Sequence, residues 1–131
     1  MNLFAYGTLM EPRLLEHITG LSPVSKAATL SGYQRFAFRG ESYPGIISAH
    51  KRESVTGVLF FDLSALAWKY LDGFEGSIYE RLAVFVDTNT NSEIEAQTYV
   101  VRREFQHLLA ESDWDFAEFL RRDLAAYLAE K

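Results

Sequence analysis

The 131-residue chain contains no cysteine, which excludes disulfides, thiolate metal sites and a cysteine nucleophile together. The absence leaves the compartment open, because a cysteine-free protein is indifferent to redox state. No stretch approaches the ~18 consecutive apolar residues of a membrane span. The opening residues, Met1-Asn2-Leu3-Phe4-Ala5-Tyr6-Gly7, have neither the basic start nor the apolar core of a secretory signal. By elimination the expectation is a cytoplasmic protein with no membrane partner. Cations are also scarce: 13 Lys and Arg stand against 18 Asp and Glu, a net charge of −5. The tightest basic cluster is the pair Arg121–Arg122, whereas a nucleic-acid surface wants many clustered cations. No nucleic-acid partner is therefore expected. A G-x-S-x-G elbow, a Walker loop, a G-x-G-x-x-G turn and an H-E-x-x-H pair are all missing. His17, His50 and His107 lie far apart without ligand spacing, so neither metal nor cofactor is expected.

Apolar and aromatic residues are plentiful. The chain is 48% hydrophobic and carries ten Phe, seven Tyr and two Trp, enough to fill a core and line a pocket. With no linker or repeat, residues 1–131 read as a single domain.

Leu3–Tyr6 is a short apolar strand ended by Gly7. Pro12 opens a helix whose Leu14, Leu15 and Ile18 share a face and which Gly20 can cap. Ala27–Phe38 is a strand pattern broken at Gly32, and Tyr43-Pro44-Gly45 signals a turn. Val55–Phe61 is strongly β, with Gly57 marking a bulge or a close backbone approach. Ser64 can cap a helix that turns Leu66, Tyr70 and Leu71 inward and stops at Asp72-Gly73. Ile78–Val86 alternates as a two-faced strand, Thr88-Asn89-Thr90-Asn91 turns, and Glu93–Arg103 returns beside it. Asp115 caps a last helix, with Glu118 completing a capping box and Trp114 and Phe119 at the staple positions. About six strands in hairpin-like succession and about three helices make an α+β fold: a small, mainly antiparallel, curved or closed β-barrel with flanking helices.

Two places invite chemistry. At Tyr6-Gly7-Thr8-Leu9 a buried strand enters a glycine turn just before a helix, a bend that can aim successive backbone N–H groups at one anion. It is equally well a plain strand-to-helix turn. Glu75 lies between Phe74 and Gly76, where partial desolvation would raise its pKa into a range useful for proton transfer; the plain alternative is a loop carboxylate. Tyr79 and Arg81 are two apart on the next strand and project from one face.

Five segments stand in fixed order: Phe4-Ala5-Tyr6-Gly7-Thr8-Leu9-Met10, Leu30-Ser31-Gly32-Tyr33-Gln34-Arg35, Tyr43-Pro44-Gly45-Ile46, Val55-Thr56-Gly57-Val58-Leu59, and Leu71-Asp72-Gly73-Phe74-Glu75-Gly76-Ser77-Ile78-Tyr79-Glu80-Arg81. Together they resemble the gamma-glutamylcyclotransferase-like superfamily. Trp114-Asp115-Phe116-Ala117-Glu118 is similar to the start of the C-terminal helix in its plant avirulence-induced branch. The resemblance implies a β-barrel with a cavity in its mouth and an enzyme that cyclises a small γ-glutamyl amine, amino acid or peptide to 5-oxoproline. It implies that Tyr6, Gly7, Thr8 and Leu9 hold the γ-glutamyl part and that Glu75 is the acid/base. Tyr43 and Tyr79 are candidates for pocket walls or hydroxyl donors. Arg81, if it points inward, is a candidate counter-charge; otherwise it pairs with a structural acid. The alternative is a non-catalytic module of the same fold that binds a small metabolite.

Overall fold

The computed structural model describes residues 1–90 and 92–130. Among them, seven strands run in the order β1 (Leu3–Ala5), β2 (Ser25–Ser31), β3 (Tyr33–Ala37), β4 (Pro44–Ser48), β5 (Ser54–Phe60), β6 (Tyr79–Asp87) and β7 (Glu93–Val101). Helix α1 (Pro12–Thr19) lies between β1 and β2, and α2 (Ala65–Glu75) between β5 and β6. Helices α3 (Phe116–Arg122) and α4 (Leu124–Ala129) follow β7. Five strands close into a barrel in the order β1-β5-β2-β6-β7, while β3 and β4 form a separate hairpin. All barrel pairings are antiparallel except the closing one, where Leu3 of β1 meets Gln97 of β7 in parallel.

Alternation along the strands separates two apolar layers. Phe4, Ala28, Leu30, Val55, Leu59, Val84, Val86, Ala96 and Val100 come from all five barrel strands and pack together inside the barrel. A barrel this small has little room, and Gly57 supplies some. A Cβ there would collide with the Ala5 carbonyl oxygen and touch the Phe4 ring, so the glycine marks a close approach of β1 rather than a bulge. The opposite strand faces carry Leu3, Phe60, Tyr79, Tyr99 and Val101, against which Leu14, Leu15, Trp68, Leu71 and Phe119 of the helices pack. Phe4, Phe60 and Phe119 are at most 1% exposed, and each contributes roughly 1.5–3 kcal/mol by burial.

The caps are local. Pro12 starts α1 and Gly20, at φ 76°, ends it. The Ser64 hydroxyl accepts from the Ala67 N–H at 3.1 Å, and the Asp115 carboxylate from the Glu118 N–H at 3.1 Å. The Trp114 and Phe119 rings meet at a tilt of 42°, with centroids 5.6 Å apart. Glu118 does not close the expected capping box: its carboxylate pairs with Arg121 and Arg122 instead.

Four expectations are corrected. The C-terminal helix is two helices broken at Asp123, and Tyr43-Pro44-Gly45 leads into strand β4, giving more elements than the sequence pattern suggests. Helix α2 passes through Asp72-Gly73 and ends only at Gly76, φ 79°. It buries Ala67, Trp68 and Leu71, whereas Leu66 and Tyr70 are 59% and 51% exposed. Of the expected turn after β6, Asn91 lies outside the described residues. Among the described residues, no helix is long and apolar enough to cross a membrane.

Candidate active site

Strand β1 delivers Tyr6 to a 3-10 turn at Thr8–Met10. The first bond of that turn runs from the Met10 N–H to the Gly7 carbonyl, 3.0 Å. The N–H groups of Thr8 and Leu9 precede it and find no acceptor within the turn, as at any helix start. Two anchors fix the segment. The Arg35 guanidinium donates from Nη1 to the Tyr6 carbonyl at 2.8 Å while its other nitrogens grip the Asp113 carboxylate at 2.8 and 3.2 Å. The Tyr6 hydroxyl donates to the Tyr99 carbonyl at 2.6 Å. The β3–β4 hairpin closes over Gly7, so a Cβ at that position would stand 2.7 Å from Pro44 Cγ. Only a residue without a side chain lets the two segments approach this closely.

Glu75 is the last residue of α2. It lines a narrow cavity of about 30 Å³ together with Gly7, Thr8, Leu9, Tyr43 and Pro44. It also lines a wider one of about 190 Å³, whose other walls include Phe74, Ile78 and Tyr127. Thr8, Tyr43, Glu75 and Tyr79 belong to both, so these are two ends of one hollow. Among the described residues, no ion pair and no hydrogen bond engages the Glu75 carboxyl. Burial alone pushes its pKa up to about 8, because removing water penalises the charged form. The carboxyl is thus desolvated enough to hold a proton near neutrality, yet Glu75 is only half-buried and, among the described residues, is not sealed into an ion pair.

The hollow brings together seven of the eight residues singled out from the sequence: Tyr6, Gly7, Thr8, Leu9, Tyr43, Glu75 and Tyr79. Their roles differ from expectation in detail. The Tyr79 hydroxyl donates to the Pro44 carbonyl at 2.6 Å, so it is a wall rather than a free donor. Burial first, and then the nearby Glu41 carboxylate, raise the pKa of Tyr43, whose ring also forms wall. Arg81 is the exception. Its Nε sits 3.1 Å from Asp72 Oδ1 and its guanidinium lies 4.7 Å above the Trp68 ring, away from the hollow. Its guanidinium pairs with Asp72 and does not line the hollow. The lining comes from both apolar layers: Leu3, Ala5, Leu9, Tyr79 and Tyr99 from the layer between barrel and helices, and Phe4 and Tyr6 from the cluster that fills the barrel.

Sequence reasoning overlooked Pro44, Phe74, Ile78, Tyr99 and Tyr127 as lining. Pro44, Phe74 and Ile78 stood inside the motifs already quoted. For Tyr99 the available signal was the β6–β7 pairing, which sets it directly across from Arg81. No local signal marked Tyr127.

Comparison with known proteins agrees with this architecture. The profile of the family described as "Gamma-glutamyl cyclotransferase, AIG2-like" matches residues 3–116. The Arabidopsis thaliana protein named AIG2-like protein A is 32% identical over 122 residues, spanning 92% of this chain and 72% of that protein. The solution structure of At3g28950.1 from Arabidopsis thaliana superposes with a TM-score of 0.74 at 29% identity, over 97% of this chain and 76% of the other. A structure titled "Gamma-glutamyl cyclotransferase" shares the fold, with a TM-score of 0.67 at 19% identity over 77% of this chain and 66% of that one.

Proposed function

Because the chain belongs to the AIG2-like gamma-glutamyl cyclotransferase family, we propose that it cleaves a γ-glutamyl amide by cyclisation, releasing 5-oxoproline and a free amine in the cytoplasm. The observation that carries this reading is the unpartnered Glu75 carboxyl sharing one hollow with the Gly7–Leu9 turn.

The substrate brings its own nucleophile. Its α-amine attacks the γ-carbonyl carbon, a five-membered ring forms, and the amide C–N bond breaks. Intramolecular proximity supplies much of the rate, so no serine or cysteine is required. The protein's task is to take a proton from the α-ammonium and return it to the departing nitrogen, worth roughly 10²–10⁴-fold. Glu75 suits both halves: ionised it accepts, and the same raised pKa lets it give the proton back. The free N–H groups of Thr8 and Leu9 suit a negative oxygen, either the substrate α-carboxylate or the developing oxyanion.

In this reading the γ-glutamyl head occupies the narrow end and the leaving amine the wider end. Among the described residues, the wider end is walled by Phe74, Ile78, Tyr43 and Tyr127, and no cation lines it. A leaving group with a carboxylate would enter it unpaired, at the cost of desolvating that charge. The walls therefore favour γ-glutamyl amines with an apolar body over γ-glutamyl amino acids and peptides. The test is a panel of γ-glutamyl alkylamines, arylalkylamines, amino acids and dipeptides assayed for 5-oxoproline. Product from the amines first supports the proposal. Saturable binding by calorimetry with no product from any compound would assign the protein as a metabolite-binding module.

A further inference from the structure

Among the described residues the carboxyl of Glu75 has no hydrogen bond to hold it in place, so its position is set by the backbone of the α2 end that carries it. That end is fastened. One turn before Glu75, Asp72 Oδ1 accepts from the Tyr99 hydroxyl at 2.7 Å and lies 3.1 Å from Arg81 Nε. Trp68, one turn earlier still, packs beneath the Arg81 guanidinium. Tyr99 and Arg81 are cross-strand neighbours on β7 and β6, so two adjacent barrel strands clasp the helix through a single carboxylate. Tyr99 also reaches the other half of the site, because its backbone carbonyl accepts the Tyr6 hydroxyl at 2.6 Å. Tyr99 also lines the narrow cavity.

We propose that Tyr99 is a positioning residue that ties the glycine turn to the end of α2 and, through Asp72 and Arg81, holds Glu75 at its working distance from Gly7–Leu9. The carbonyl secures the turn and the hydroxyl secures the helix. The inference rests on the cyclotransferase reading only for its catalytic consequence; the link itself is a property of the fold. The polar groups facing Glu75 across the hollow are Tyr6 beside the end of β1, Thr8 from the turn, Tyr43 from the hairpin, Tyr79 from β6, Tyr99 from β7 and Tyr127 from α4. Among the described residues no charged side chain lines the hollow besides Glu75, so loosening the helix end would change the solvation of Glu75 rather than exchange one charge partner for another.

The decisive variant is Tyr99→Phe, which deletes the hydroxyl and keeps both ring and carbonyl. Asp72→Ala cuts the same link from the exposed side of the helix. Ser64→Ala is the comparator: it removes the cap at the far end of the same helix, loosening α2 without touching the clasp. The Glu75 carboxyl carbon is followed by NMR as pH rises, its resonance identified by its loss in Glu75→Gln. Wild type and Ser64→Ala should titrate near 8, whereas Tyr99→Phe and Asp72→Ala should titrate lower, toward the ordinary carboxylate range, as water reaches the group. Turnover in those two variants should fall ~10-fold or more with KM within about twofold, since small misplacements at a reacting centre are costly. The double variant should be no slower than the slower single, because both cut one link. An unmoved Glu75 midpoint in both Tyr99→Phe and Asp72→Ala overturns the proposal, as does an equal movement in Ser64→Ala. The titration needs no substrate, so a wild-type protein that makes no 5-oxoproline would remove the catalytic reading and leave this test standing.

Discussion

Pro44 occupies the space that a side chain at position 7 would need: its Cγ stands 2.7 Å from where the Cβ of Gly7 would be. The contact joins the first motif of the chain to the third and forms one edge of the hollow. Proline cannot swing aside as a flexible side chain would, so Gly7→Ala must shift either the turn or the β3–β4 hairpin. We expect a loss of about 1–3 kcal/mol, typical of overpacking, together with a fall in turnover. Denaturant melts and kcat measured on the same preparation check this.

Glu75 makes stability depend on pH with a definite sign. Its pKa rises from an ordinary 4.5 to about 8 in the folded protein, so between those values the folded state binds a proton that the unfolded state has released. Stability contributed at this position therefore declines as pH climbs from about 4.5 to about 8. Glu75→Gln keeps the shape and removes the titration. The variant should melt at a higher temperature than wild type at pH 8 and at nearly the same temperature at pH 4.5, as scanning calorimetry at the two values would show.

Among the described residues no cation lines the wider end of the hollow, and Ile78 forms part of its wall. Placing a charge there by Ile78→Lys should raise kcat/KM for γ-glutamyl amino acids relative to γ-glutamyl alkylamines by roughly 10-fold, the worth of about 1.4 kcal/mol. Competition assays with paired substrates read that ratio directly.

What the sequence made legible was local. Pro12 and Gly20 bracket α1, Ser64 and Asp115 cap their helices, and alternation along β6 and β7 marks a two-faced hairpin. Each of these signals depends on neighbours a few residues away. The end of α2 was misread because Asp72-Gly73 looks like a stop. A Cβ at Gly73 would meet nothing within 4 Å, so that glycine is not required there, while Phe74 beyond it packs against Tyr127 with ring centroids 6.3 Å apart. A contact between residues distant in the chain thus carries the helix one turn past its local terminator.

The same limit explains Arg81. Strand alternation correctly set it on the face of Tyr79, and that face is covered by helices at its Tyr79 end. Farther along the strand the cover stops, and Phe85 is 58% exposed. Whether Arg81 met the hollow or an acid depended on which residue α2 presented to it. Extending the helix by one turn puts Asp72 there and leaves Glu75 unpaired. The motifs located the glycine turn and the glutamate; the distance between them needed the barrel, with β1 and β7 side by side and Gly57 clearing space for Phe4.

The central claim is that an unpaired, half-buried carboxyl sharing one hollow with the glycine turn moves the proton in a cyclisation. Its most direct test is the turnover of the best γ-glutamyl amine by Glu75→Gln, with the melting temperature measured beside it. The account predicts at least a ~100-fold loss of kcat, in keeping with removal of a general acid/base, in a protein that is folded and still binds substrate. A folded Glu75→Gln protein that forms 5-oxoproline at the wild-type rate would contradict it.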